Sequence, residues 1–193
     1  MSNTIIKLAI FASGNGSNAE NIALYFANNN QIKVDSIYTN KKDAYVVERA
    51  KKLGIKSYYY PKDVFTGGTE LIKILKNKEI DYIILAGFLL KIPNNIINAF
   101  QNKILNIHPA LLPKFGGKGM YGDNVHKAVK TSGDKESGIT IHVVNEHYDE
   151  GTIVFQAKCN ISESDSYTDI ANKIHKLEYD NFPKVIKSFI KQE

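Results

Sequence analysis

Apolar residues fall along the chain in short clusters whose spacing alternates between two periods. Residues 5–12 read Ile-Ile-Lys-Leu-Ala-Ile-Phe-Ala and stop at Ser13-Gly14-Asn15-Gly16-Ser17-Asn18. Over 18–27, Ile22, Leu24, Tyr25 and Phe26 recur with helical spacing, so the opening predicts strand, glycine turn, helix. Residues 32–39 predict a second strand, 43–53 a helix stopped by Gly54, and 55–60 a third strand ended by Pro61. Thr66-Gly67-Gly68 reads as a loop, with Thr69 as the cap of a helix through Asn77. Residues 80–86 are the most apolar strand and predict burial on both faces. A short helix over 93–100 has proline in its first turn, and a strand over 103–107 runs directly into His108-Pro109.

Beyond His108 the rhythm changes. Residues 113–123 form a glycine-rich loop, 124–131 a helix, 138–144 a strand with alternating faces, 145–151 a connection and 152–160 a further strand. That connection is too short for a crossover helix, so these two strands pair antiparallel. Residues 166–191 predict one long helix, broken near Pro183. The whole is an α/β fold: a Rossmann-like, mostly parallel twisted sheet with helices on both faces and antiparallel C-terminal strands. At 193 residues, with neither repeats nor an interdomain linker, the chain predicts one domain over 1–193.

Charge and composition narrow the function. The net charge is +5, but the lysines are scattered among acids and Arg49 is the only arginine. A nucleic-acid binder would bring a basic stripe, arginine forks and a stacking platform, so none is expected as partner. No apolar run approaches the roughly 18 residues of a membrane span, and residues 5–12 do not read as a signal peptide. The single Cys159 sits in a strand-like run and reads as a small core residue in a reducing compartment, so the expected location is cytoplasmic.

Three segments carry chemistry. At Gly14-Asn15-Gly16-Ser17-Asn18-Ala19 backbone N–H groups and a helix N-terminus converge on an anion. A dinucleotide would also want a carboxylate after the second strand, where Tyr38-Thr39-Asn40 stands instead. A phosphomonoester is therefore preferred, with a dinucleotide or a merely tight turn as alternatives. Asn106 and His108 lie two apart at the C-terminal end of a strand, so both can face one cleft. An amide donor beside an imidazole suits a carbonyl becoming an oxyanion; the alternative is a capping Asn and a satisfied turn His. Asp149 lies in His147-Tyr148-Asp149-Glu150-Gly151, which by itself is turn chemistry unless the loop folds beside His108. His142 and His147, five apart on a strand and a loop, do not make a zinc pair and there is no cysteine cluster, so no metal is expected; no G-x-S-x-G elbow appears, which speaks against a serine hydrolase.

Taken together these segments resemble the phosphoribosylglycinamide formyltransferases of purine biosynthesis. The matching pieces are residues 12–18, Leu85-Ala86-Gly87-Phe88, residues 105–114 around His108, Gly138-Ile139-Thr140-Ile141-His142, Asp149-Glu150-Gly151 and Gln156-Ala157, in order along nearly the whole chain. The resemblance implies a formyltransferase fold in which 1–105 is the phosphate-substrate-binding half and 106–193 the catalytic and folate-binding half. It implies transfer of the formyl group of 10-formyltetrahydrofolate, a cosubstrate, to the amine of glycinamide ribonucleotide, with small molecules as partners and a monomer or homodimer as assembly. Gly16, Ser17 and Asn18 would hold the phosphate, and Glu178 would contact the ribose. Leu89, Leu90, Lys91 and Ile92 would line the folate pocket, with Asn106, Val144, Asn145 and Asp149 on its other wall. The family often has arginine where Leu90 stands. Asn106, His108 and Asp149 would be catalytic, with Asp149 raising the His108 pKa and keeping an imidazolium populated. Rival readings are a formyltransferase for an amino sugar or methionyl-tRNA, a formyltetrahydrofolate hydrolase, and a non-catalytic phosphometabolite sensor. The tRNA enzyme and the hydrolase would carry domains for which this chain leaves no room.

Overall fold

The computed structural model describes residues 5–191. The chain divides into two compact units, Met1–Leu105 and Asn106–Glu193. The first holds β1 (Ile6–Phe11), α1 (Ser17–Phe26), β2 (Ile32–Thr39), α2 (Val46–Lys52), β3 (Lys56–Tyr59), α3 (Lys62–Gly67), α4 (Thr69–Asn77), β4 (Tyr82–Leu85) and α5 (Asn94–Ala99). β1 pairs in parallel with β2 and β4, and β2 pairs in parallel with β3. A strand flanked on both sides and covered by helices must be apolar throughout. Accordingly Leu8, Ala9, Ile10 and Phe11 on β1 and the whole of β4 are buried.

β5 (Ile104–His108) begins in the first unit and ends in the second, which continues with α6 (Asp123–Ser132), β6 (Glu136–Val143), β7 (Ile153–Asn160) and α7 (Tyr167–Ile190). β6 and β7 pair antiparallel, from Glu136 opposite Asn160 to His142 opposite Ile153. The seven strands lie in the order β3-β2-β1-β4-β5-β6-β7, a mixed sheet that is mostly parallel with an antiparallel C-terminal pair.

Three local expectations are corrected. Thr66 and Gly67, expected in a loop with Gly68, are the end of helix α3; Pro61 precedes the helix with φ −65°, and buried Phe65 packs against Phe11 and Phe88 at ring separations of 5.5 and 4.9 Å. Thr69 is the first residue of α4 rather than its cap; Gly68, at φ 74°, holds that position without a side-chain hydrogen bond. α7 is not broken at Pro183. A mid-helix proline costs about 3 kcal/mol, but Phe182, Pro183, Ile186 and Ile190 are buried together, and this burial opposes the cost. The helix also starts on a capping box, Ser166 accepting from Asp169 N while the Asp169 carboxylate accepts from Ser166 N.

The antiparallel pair is close-set at Gly138, where an added Cβ would collide with the Ala157 carbonyl oxygen of the facing strand. Backbone cannot rotate away as a side chain can. Gly138→Ala is expected to lower the urea midpoint by roughly 1–3 kcal/mol of stability, the usual cost of overpacking; equilibrium denaturation measures it, and an unchanged midpoint would show that the strands separate freely.

Candidate active site

The second unit gathers four polar side chains at the ends of β5 and β6. Asn106 and His108 share one face of β5 because strand residues two apart point the same way. His108 is 3% exposed, and its Nε2 lies 2.8 Å from the Phe115 carbonyl oxygen. A carbonyl only accepts, so Nε2 carries the hydrogen and, in a neutral ring, Nδ1 keeps its lone pair. That lone pair faces Asp149 Oδ2 at 3.5 Å. Asp149 reaches this position from the connection between β6 and β7 with φ 57°, a left-handed conformation that Asp tolerates better than most residues. Gly117 N donates to the same oxygen at 2.9 Å.

His142, on β6, completes the group. Its Nδ1 lies 3.2 Å from the Val143 carbonyl oxygen and therefore bears hydrogen, while Nε2 accepts from Asn106 Nδ2 at 3.0 Å. Asp149 Oδ1 stands 3.7 Å from that same Nε2, a longer approach, so the Asn106 bond sets the tautomer. The second hydrogen of Asn106 Nδ2 is thereby left for another acceptor. Sequence reasoning weighed His142 only as a metal ligand and missed this role. The available signal was strand period, which puts Thr140 and His142 on one face of β6.

Thr140 has a structural task that sequence reasoning also missed. Its hydroxyl donates to the Ala110 carbonyl at 2.7 Å and accepts from Leu112 N at 3.0 Å and Gln156 Nε2 at 2.9 Å. Gln156 Nε2 also donates to the Leu112 carbonyl at 3.1 Å. These bonds pin the chain that leaves His108.

Burial holds the His108 pKa below its usual 6.5, and the Asp149 carboxylate, the Phe115 carbonyl and Glu178 only partly counter it. This corrects the expectation of a resting imidazolium. The attraction of a charge pair at this spacing is about 4 kcal/mol at an effective dielectric near 20, but removing an ion from water costs several kcal/mol. The Gly117 N–H holds the charge of the Asp149 carboxylate in this half-buried position. Glu178 is buried on α7, where its carboxylate holds His175 Nδ1 at 3.1 Å and raises the His175 pKa.

In the first unit, Gly16 precedes α1 at φ 77° and no side chain caps the helix. The first turn of α1, which carries Ser17 and Asn18, presents the positive end of the helix to whatever lies beyond the N-terminus. Ser13 links this turn to the stretch after β4: its hydroxyl donates to Asn40 Oδ1 at 2.6 Å and accepts from Leu89 N at 2.9 Å. Leu89 and Lys91 are exposed, Leu90 is half-buried and Ile92 is buried. In the second unit Val144 and Asn145 are half-buried. The Asn145 amide is bonded within its own connection, donating to the Glu150 carbonyl at 3.2 Å and accepting from His147 N at 3.0 Å. Among the described residues no group of three or more His, Cys, Asp or Glu is placed to hold a metal, and no helix is long and apolar enough to cross a membrane.

A half-buried amide, two buried imidazoles and a half-buried carboxylate thus meet at strand ends. Residues 6–186 match the formyl transferase family, and the chain belongs to that family. It is 40% identical over 187 residues to the chloroplastic phosphoribosylglycinamide formyltransferase of Arabidopsis thaliana, covering 93% of this chain. It is 35% identical over 189 residues to the phosphoribosylglycinamide formyltransferase of Bacillus subtilis, covering 95% of this chain and 94% of that one. The chain spans 64% of the Arabidopsis relative's length and 61% of that of the chloroplastic relative from Vigna unguiculata. The crystal structure of the Streptococcus pneumoniae phosphoribosylglycinamide formyltransferase superposes with a TM-score of 0.86 at 33% identity, over 96% of this chain and 99% of that one.

A buried neutral histidine makes stability depend on pH. The unfolded chain binds a proton on His108 below about 6.5, whereas the folded chain binds it only at lower pH, so stability is full above 6.5 and falls as pH drops through this window. His126, also buried with its pKa lowered, acts in the same direction, and His175 acts oppositely. Urea midpoints at pH 7.5 and 5.5 should therefore fall further for the wild type than for His108→Asn; equal falls would mean that His108 is charged in the folded protein.

Proposed function

We propose that this chain transfers the formyl group of 10-formyltetrahydrofolate to the amine of 5-phosphoribosylglycinamide, giving formylglycinamide ribonucleotide and tetrahydrofolate in de novo purine biosynthesis. The observation that carries this reading is the 3.5 Å approach of Asp149 to the unprotonated nitrogen of His108, with Asn106 on the same strand face. Free Cys159 accords with a cytoplasmic location.

In the proposed reaction the substrate amine attacks the formyl carbon and a tetrahedral intermediate forms, negative on oxygen and positive on nitrogen. The second N–H of Asn106 Nδ2 stabilises the oxygen, a contribution typically worth roughly 10²–10³ in rate. His108 Nδ1 takes the proton of the amine, and the imidazolium so formed gains the Asp149 carboxylate as its counter-ion. As the carbon–nitrogen bond to folate breaks, the proton passes to the departing folate nitrogen and the ring is neutral again. His108 thus acts as a base in its resting state and an acid in its second step. Gly16, Ser17 and Asn18 are proposed as the phosphate site and Glu178 as the ribose contact. The backbone of residues 89–92 and 144–145, with Asn106 and Asp149, is proposed to meet the folate.

A direct assay of formyl transfer with glycinamide ribonucleotide as acceptor tests the reading, with amino sugars as competing acceptors; turnover only on the latter would overturn it. His108→Ala and Asp149→Asn should lower kcat by roughly 10²–10⁴, the range for lost general acid–base catalysis, and near-wild-type turnover would remove that residue from the mechanism. Asn18→Ala should raise KM for the ribonucleotide with little change in kcat.

A further inference from the structure

We propose that Arg49 is a positioning residue that aims the anion-binding turn, an inference that rests on the phosphate reading of Gly16, Ser17 and Asn18. Arg49 lies on α2, far from the turn in sequence, with its side chain only 21% exposed. Its Nε donates to the Asn15 carbonyl at 2.9 Å, its Nη2 donates to Asn15 Oδ1 at 2.8 Å, and its Nη1 pairs with the Glu20 carboxylate. The chain's one guanidinium thus spends three nitrogens on the turn and on the first turn of α1.

The Asn15 carbonyl and the Gly16 N–H belong to one planar trans peptide, so they point in opposite directions. Pinning the carbonyl to Arg49 therefore fixes the Gly16 N–H on the side away from α2. The neighbouring restraints come from the same helix: Val46 N donates to the Gly14 carbonyl at 3.2 Å, and a Cβ on Gly16 would overlap the Val46 side chain. Val46 thus sets where the turn lies, and Arg49 sets how its peptide is rotated. Glu20 adds a second reason for a cation there. Its carboxylate stands in the first turn of α1, where it would oppose a bound anion if left uncompensated. A lysine carries the charge but not the fork, and its single nitrogen cannot hold the Asn15 carbonyl, the Asn15 amide and Glu20 in this geometry.

The test uses the full chain, steady-state formyl transfer to glycinamide ribonucleotide, and inorganic phosphate as a probe inhibitor. For Arg49→Lys and Arg49→Met, KM for the ribonucleotide and the inhibition constant of phosphate should both rise about tenfold, the scale of losing a charge-assisted hydrogen bond, while kcat stays within about twofold. Arg49→Met combined with Glu20→Gln leaves no unpaired carboxylate, and it should show the same rise because the peptide is still unpinned. Lysine that restores wild-type KM and inhibition would overturn the fork argument, and unchanged constants in all three variants would overturn any role for Arg49. Phosphate that fails to compete with the ribonucleotide in the wild type would instead remove the phosphate reading itself, and the inference with it. A fall in kcat with unchanged KM would mark Arg49 as a general structural residue and refute a positioning role.

Discussion

The second unit is organised around one unfavourable encounter: the Asp149 carboxylate faces the lone pairs of two imidazoles, His108 Nδ1 at 3.5 Å and His142 Nε2 at 3.7 Å. Neither ring nitrogen donates to it at rest, because each ring's hydrogen is committed to a backbone carbonyl, of Phe115 or Val143. One additional proton at His108 Nδ1 converts the repulsion into an ion pair. The carboxylate can wait for that proton because Gly117 N–H already stabilises its charge. The site is therefore poised for a proton, which in the proposed reaction the attacking amine supplies.

Such a balance survives only if its members cannot drift apart, and the backbone around them is tied closely. Thr140 uses its one donor and accepts twice, binding the segment after His108 to β6, and Gln156 from β7 doubles the tie. Gly151, two residues beyond Asp149, lies so near the Val143 carbonyl that no Cβ would fit. The connection that carries Asp149 is thus closed against the end of β6. Asn145, bonded to both Glu150 and His147, holds the same connection from within. Rigid supporting bonds of this kind are what a site needs when its reactive distances must hold to within a fraction of an ångström.

Much of this was legible in the chain. Apolar clusters marked β1 and β4 most clearly because buried parallel strands tolerate little else, and the glycine turn before α1 announced itself through residues that permit a left-handed backbone. The segment around His108 was readable because a strand end in an α/β sheet is where ligands bind. The misses have physical causes. α3 is a single short helix held by the burial of Phe65, a tertiary contact with no local periodicity. The unbroken α7 reflects buried neighbours of Pro183 outweighing a local penalty. Strand period put His142 on one face with Thr140, but a satisfied core histidine has the same pattern, so the signal did not single it out.

The protonation of His108 was misjudged for a different reason, and it bears on mechanism. Sequence shows which charges can meet, but it does not show how much water remains around them. With Asp149 as neighbour, attraction alone favours an imidazolium; with the ring 3% exposed, desolvation reverses the sign. A permanently charged His108 would also serve the chemistry poorly, because it could not take the proton that the attacking amine must shed. In the proposed reaction a neutral ring beside a carboxylate accepts that proton and returns it to a departing nitrogen. Burial and the facing carboxylate act in opposition, and burial prevails in the resting ring, which leaves Nδ1 open to the proton that the proposed transfer would deliver.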